Sequence, residues 1–337
     1  MSGRHDLKPV KGINYDVGTE FVPGELSRTI WSLADVTRDM RVIQDELHCT
    51  SVNVYGTELS RLEDAASIAL ELGLHVSFQP RSVDQDQLAT TAFVEAAAVV
   101  AEELAKSGQV TLNVGCEITM FTSGFIPGKT FLRRMRNMVW VWPFLPRVNR
   151  KLNLYLSELV EVARGPFRGD VTYGSGSWEQ VDWGPFDVAG VNLYRDRWNQ
   201  KTYREDLRRL LASDKPVIIT EFGCATFAGA ERRGGGGWTI VDFGVDPPRV
   251  RRGHLRSERA QAELLGELLD LLREEEVDGT YVFDFVAAGF PHHADPALDL
   301  DMASYGIVKV IQGSGAESIE WERKESFSTV ANRYENW

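Results

Sequence analysis

The sequence predicts an α/β fold, a closed (β/α)₈ barrel (a TIM barrel), and three observations predict it. Short apolar runs rich in β-branched residues recur along the chain, and longer stretches with a three/four apolar period separate most of them. The runs number eight and span about 285 residues, close to the roughly 250 a barrel needs before insertions.

The strand runs are GINYD at 12–16, SVNVYG at 51–56, HVSFQP at 75–80, VTLNVGCE at 110–117, DVTYGS at 170–175, VAGVNLY at 188–194, PVIITEFG at 216–223 and GTYVFDF at 279–285. Between the first two, Leu33, Val36, Met40, Ile43 and Leu47 are spaced to share one helix face. Leu72-Gly73-Leu74 reads as a helix end feeding the third strand. Ser257 with Glu258 marks the start of a helix carrying Leu265, Leu268, Leu269 and Leu272 on one face. Only GSGSWEQVDWGPFD joins strands five and six, so that connection is short and irregular. A doubly wound open sheet is the competing architecture, but neither GxGxxG after the first strand nor GxxxxGK[ST] occurs. There are no internal repeats. One domain over 1–337 is expected, with insertions at about 118–148 and 224–255 after strands four and seven. In a barrel both lie on the C-terminal face, where active sites are built.

Apolar residues make up 43% and charged residues 26%, ordinary values for a globular chain. The formal charge of −12 argues against nucleic acid and anionic membranes as partners. No run reaches the roughly 18 apolar residues of a membrane span. The first residues lack the apolar core of a secretion signal, and Cys49, Cys116 and Cys224 match no disulfide or zinc pattern. A cytoplasmic location is expected.

Glu117 and Glu221 each close an apolar run, TLNVGCE and KPVIITE, on strands four and seven. A carboxylate there is fixed by the sheet while its side chain reaches the mouth. Two of them converging meet the requirement of glycosidic cleavage: one protonates the leaving oxygen, and the other attacks the anomeric carbon or activates water, the two carboxyls being about 5–5.5 Å apart in retaining enzymes. Either glutamate alone would equally suit a solvated loop or an arginine partner. Their joint occurrence favours chemistry.

KPVIITEFG resembles the seventh strand of clan A retaining glycoside hydrolases, NVGCE their fourth, GVNLY at 190–194 their sixth, and GTYVFDF with ASYGIVKV and SFSTVANRY their eighth strand and closing helix. The resemblance runs over roughly 12–335 and implies a barrel with Glu221 as nucleophile, Glu117 as acid/base and Tyr194 beside the nucleophile. Two positions depart from it. Cys116 stands where the clan has an asparagine that binds the sugar 2-hydroxyl, and Asp284 stands near its tryptophan platform. An ordinary polysaccharide is therefore not the expected substrate.

Asn14, Asp16, Asn53, Tyr55, Gln79, Arg81, Trp178, Asn192, Tyr194 and Asp284 lie at or just past strand ends and are the candidate substrate-binding residues, with Trp178 and Tyr194 as ring contacts. His292-His293 with Asp295, Asp299 and Asp301 matches no metal motif and reads as a solvated loop. The expected activity is hydrolysis of a small or modified β-glycoside or glycoconjugate, without cofactor or metal. Sugar transfer to another acceptor by the same glutamates, or a non-catalytic sugar- or partner-binding barrel, is the alternative. Oligomeric state is not legible.

Overall fold

The computed structural model describes residues 9–311 and 317–337; the segment before residue 9, on which the secretion-signal expectation falls, lies outside them. All eight expected strands form: β1 (Val10–Gly18), β2 (Ser51–Gly56), β3 (His75–Pro80), β4 (Val110–Cys116), β5 (Asp170–Ser175), β6 (Ala189–Asn192), β7 (Val217–Phe222) and β8 (Gly279–Val282). Each pairs in parallel with its neighbours, and β1 pairs with both β2 and β8, closing the barrel. Closure removes the open-sheet alternative and both exposed sheet edges.

The connecting helices form for local reasons. In α1 (Leu33–Asp45) Ser32 accepts from the Asp35 amide at the N-terminus, while Val36, Met40 and Ile43 are buried. Leu33, expected on that face, is exposed: it is the first helical residue, at the edge of the stripe, and overhangs the core. The second helix, α2 (Leu59–Glu71), ends at Gly73, whose φ of +86° suits glycine, and Leu74 is buried. Asp86 caps α3 (Gln87–Leu104). Between β5 and β6 no helix forms; Trp183 and Phe186 cover that wall, with Phe186 stacked near Tyr173.

The insertion after β4 opens with one helical turn, α4 (Ile118–Phe121), followed by α5 (Phe131–Val141) and α6 (Leu145–Arg164). Leu152, Leu156 and Leu159 seat α6 on the barrel. Arg134, fully buried, ties α5 inward: its Nε donates to Met120 O (2.6 Å), Nη1 to Gly128 O (3.0 Å), Nη2 to Phe121 O (2.9 Å), and Nη2 also pairs with Asp84. After β6 comes α7 (Tyr203–Leu211). The insertion after β7 is built of 3₁₀ turns and a short hairpin, Val241–Asp242 with Arg249–Val250.

Ser257 caps α8 (Glu258–Glu274), which buries Leu265, Leu268, Leu269 and Leu272. The final helix, α9 (Glu325–Glu335), brings Tyr334 under the barrel, where its hydroxyl donates to Gly12 O (2.8 Å). One cluster of buried apolar side chains runs from Ile13 to Tyr334. Among the described residues no helix is long and apolar enough to cross a membrane.

The wall between β5 and β6 leaves no space for a side chain at Gly190, where a Cβ would lie 2.4 Å from Tyr173 O. Gly190→Ala is expected to cost about 1–3 kcal/mol through overpacking. Calorimetry should read this as a lower Tm, and an unchanged Tm would contradict the close approach.

Candidate active site

Glu221 is the penultimate residue of β7, buried, with all its carboxylate contacts supplied by other strands. Arg81, just past β3, places Nη2 2.6 Å from Oε1, and the Cys116 thiol at the end of β4 lies 3.4 Å from the same oxygen. Tyr194, just past β6, donates its hydroxyl to Oε2 at 3.1 Å. The guanidinium of Arg81 also donates to Gln79 Oε1 (2.9 Å) and lies 4.0 Å from the centre of the Tyr55 ring.

Glu117 is not the last strand residue. It follows β4 with φ +42° and ψ +47°, a left-handed conformation that costs a non-glycine residue roughly 1–2 kcal/mol. Four main-chain bonds hold it there. Its amide donates to Gly174 O (2.8 Å), its carbonyl accepts from Met120 N and Phe121 N, and the next amide, of Ile118, donates to the Tyr173 hydroxyl (2.7 Å). The conformation turns the chain out of the strand into α4, and Asn192 Nδ2 donates to Glu117 Oε1 (3.0 Å) and to Cys116 Sγ (3.3 Å). Thr220 fixes that amide by donating to Asn192 Oδ1 (2.8 Å). Cys116 and Asn192 thus bridge the surroundings of the two glutamates. Burial pushes the Glu117 carboxyl up to about 8, and the Glu221 charge pushes the same way against the Asn192 hydrogen bond. A carboxyl so placed keeps its proton near neutral pH, as a general acid must.

The other expected site residues divide into two groups. Asn53 donates to Gln79 Oε1 (3.3 Å) and Asn14 Oδ1 (2.6 Å), and Tyr55 donates to Asp284 Oδ2 (3.3 Å), making a polar floor below the glutamates. Arg81 Nε and Asp284 Oδ1 are buried there without a partner among the described residues. Burial pushes the Asp284 carboxyl up to about 7, with the Asp16 charge adding to it. Asn14, part of that floor through Oδ1, and Asp16 also tie the scaffold together. Asn14 is fully buried and its amide donates to Thr220 O, Tyr281 O and Val282 O, lacing β1 to β7 and β8. Asp16 accepts from Gly18 N, Thr19 Oγ1 and Ser27 Oγ, pinning the loop after β1. Both were candidates by position on the first strand, and here their polar atoms are engaged by neighbouring groups of the barrel.

Trp178 is half-buried and its indole donates to Thr119 Oγ1 (2.9 Å). That bond belongs to a network the sequence did not reveal. The buried Glu179 carboxylate accepts from Thr119 N and Oγ1, Tyr173 OH and Gly176 N, joining α4 to the loop after β5. Phe283 and Tyr305 are the other residues missed. Phe283 stacks on Tyr55, and both meet Tyr194 edge-on. The glycines at 234–237 pack against these rings: Tyr305 OH donates to Gly234 O and accepts from Gly237 N, where a Cβ would strike Ala225 and Tyr305.

The His292–Asp301 segment is not a solvated loop. Asp299 and Asp301 are buried, paired with Arg256 and, for Asp301, with Lys324 (2.8 Å). No group of three metal-ligating side chains gathers among the described residues.

No protein-family model and no curated protein matches this chain. Solved structures do. A GH113 β-1,4-mannanase is similar with a TM-score of 0.65 at 15% identity, over 98% of this chain and 100% of that one. The GH113 β-mannanase AaManA of Alicyclobacillus acidocaldarius, solved in complex with ManMIm, gives 0.62 at 15%, over 99% of each. The endo-β-1,4-mannanase of Thermotoga petrophila gives 0.55 at 10%, over 98% of this chain and 77% of that one. At these identities the shared property is the barrel fold.

Because Glu221 raises Glu117, Glu221→Gln should lower the pH at which Glu117 ionises from its value near 8. Infrared titration of the protonated-carboxyl band, with Glu117→Gln identifying the signal, checks this. An unmoved midpoint would rule out the charge coupling.

Proposed function

We propose that the protein is a retaining glycosidase with Glu221 as nucleophile and Glu117 as acid/base. The observation that carries this reading is the asymmetry of the two carboxyls. Glu221 is hydrogen-bonded by Arg81, Cys116 and Tyr194, while the Glu117 carboxyl has a single amide donor among the described residues and a raised proton affinity. A retaining mechanism needs that division between an ionised attacking group and a protonated donor. The barrel shared with solved β-mannanases supports a carbohydrate substrate.

The substrate is a small or modified β-glycoside rather than an ordinary polymer. Cys116 offers a thiol, a weak donor, where a sugar 2-hydroxyl would meet an amide, and Asp284 offers a carboxyl where an aromatic platform would stack. The unpartnered Arg81 Nε and Asp284 Oδ1 supply a donor and an acceptor for that sugar. The reading extends to the whole chain acting as one domain, with no nucleic acid as ligand. Three buried, unpaired cysteines support a cytoplasmic setting.

Incubation with activated 2-fluoro glycosides and intact mass measurement tests the mechanism. The native protein should gain one sugar, located on Glu221 by peptide mapping, and Glu221→Gln should gain none. Glu117→Gln should slow turnover by about 10²–10⁴-fold on poor leaving groups, and far less on dinitrophenyl glycosides that leave without a proton. A sugar that binds without forming an adduct would favour a non-catalytic barrel, the reading to which the tight Arg81–Glu221 pair lends support.

A further inference from the structure

The insertion after β4 carries a second apolar face, left uncovered among the described residues. Along α5, Leu132, Met135 and Val139, then Trp142 beyond its end, follow a three/four/three spacing, and all four are exposed. Val139 is 69% exposed, Trp140 77%, Trp142 63% and Phe144 54%, so this is a contiguous stretch and not a scatter of single side chains. The opposite side of the helix is the anchored one, through Arg134 and Val141. An amphipathic helix should have turned these residues inward; α5 instead has an inner face and an outer apolar stripe.

The charge around the stripe is equally unusual. Residues 118–157 contain Lys129, Arg133, Arg134, Arg136, Arg147, Arg150 and Lys151 and no Asp or Glu, in a chain whose formal total is −12. Lys129, Arg133, Arg136, Arg147, Arg150 and Lys151 are exposed beside the apolar residues. Phe131, at the start of α5, packs with Phe121, Phe21 and Trp238, which fixes the element to the rim of the barrel mouth.

We propose that this outer face of α5 and the turn to α6 docks the protein on an anionic membrane surface. Tryptophan, phenylalanine and aliphatic side chains enter the headgroup boundary, and the surrounding arginines and lysines meet lipid phosphates. A bilayer satisfies both halves of the patch at once, an apolar layer beneath a sheet of negative charge. The total charge led to the opposite expectation because it averages a basic patch into an acidic chain.

The test is binding of the full-length protein to vesicles of phosphatidylcholine with phosphatidylglycerol, against phosphatidylcholine alone, by co-sedimentation and tryptophan emission. Binding to the mixed vesicles, a blue shift, and release by salt are expected. Arg133→Glu with Arg136→Glu should weaken it by at least about 25-fold, taking ~fivefold for each of the two cations lost. Trp140→Ser with Trp142→Ser should abolish the blue shift. These side chains are exposed, so circular dichroism melting should be unaltered in both variants. No vesicle binding at low salt, or binding that survives both double substitutions, overturns the proposal. So does a dimer in sedimentation equilibrium that the same substitutions dissolve without any vesicle binding, which would make a second copy the occupant.

Discussion

The ion pair between Arg81 and Glu221 is the constraint around which the mouth of this barrel is organised. Both side chains are almost fully buried, and taking two charges out of water is costly unless their remaining hydrogen-bonding capacity is met. Four strands contribute to meeting it. Gln79 and Arg81 come from β3 and its end, Cys116 from β4, Tyr194 from the end of β6, and Glu221 from β7. The ring of Tyr55, on β2, lies against the guanidinium. A one-residue slip of any of these strands would turn the partner to the opposite face and strand a charge, so the pair ties the register of half the barrel to the geometry of the site.

The fold was legible because its signals are local. A run of alternating or continuous apolar residues states where a strand is, whatever it packs on, and all eight runs became barrel strands. Strand ends were legible for the same reason, which is how Arg81, Asn192, Tyr194 and Asp284 became candidate site residues. What the sequence hid is long-range. Glu179 is a glutamate in an irregular loop, and its role comes from Thr119, sixty residues earlier in the chain. Asp299 and Asp301 sit in a polar stretch whose burial depends on distant cations, Arg256 for both and Lys324 for Asp301. Asn14 and Asp16 were named by position, and the bonds that tie Asn14 to β7 and β8 and Asp16 to the loop after β1 are not carried by period-two alternation, which says only which way a residue points. Leu33 failed at the opposite extreme, a helix end where periodicity persists after the core has stopped.

Cys116 changes how the two glutamates are connected. Its sulfur accepts from Asn192 and faces Glu221 Oε1, while the same Asn192 amide donates to Glu117. The amide that the fourth-strand position lacks is therefore supplied from β6. Burial keeps the thiol protonated, its pKa well above the ordinary value, so it acts as a weak donor rather than a competing nucleophile. The oxygen of Glu221 that meets Arg81 meets this soft contact too, leaving Oε2 with the Tyr194 hydroxyl as its one hydrogen-bond donor among the described residues.

The left-handed backbone at Glu117 sets this residue against the stability of its own protein. Glycine occupies that conformation without strain, and losing the carboxyl would also end the cost of burying it. Glycine there would relieve both costs, but it would leave the Asn192 amide with the Cys116 sulfur as its remaining acceptor among the described residues. Glutamate at 117 is in that sense a standing load on the fold, carried by the hydrogen bonds that hold its backbone and by the Asn192 amide.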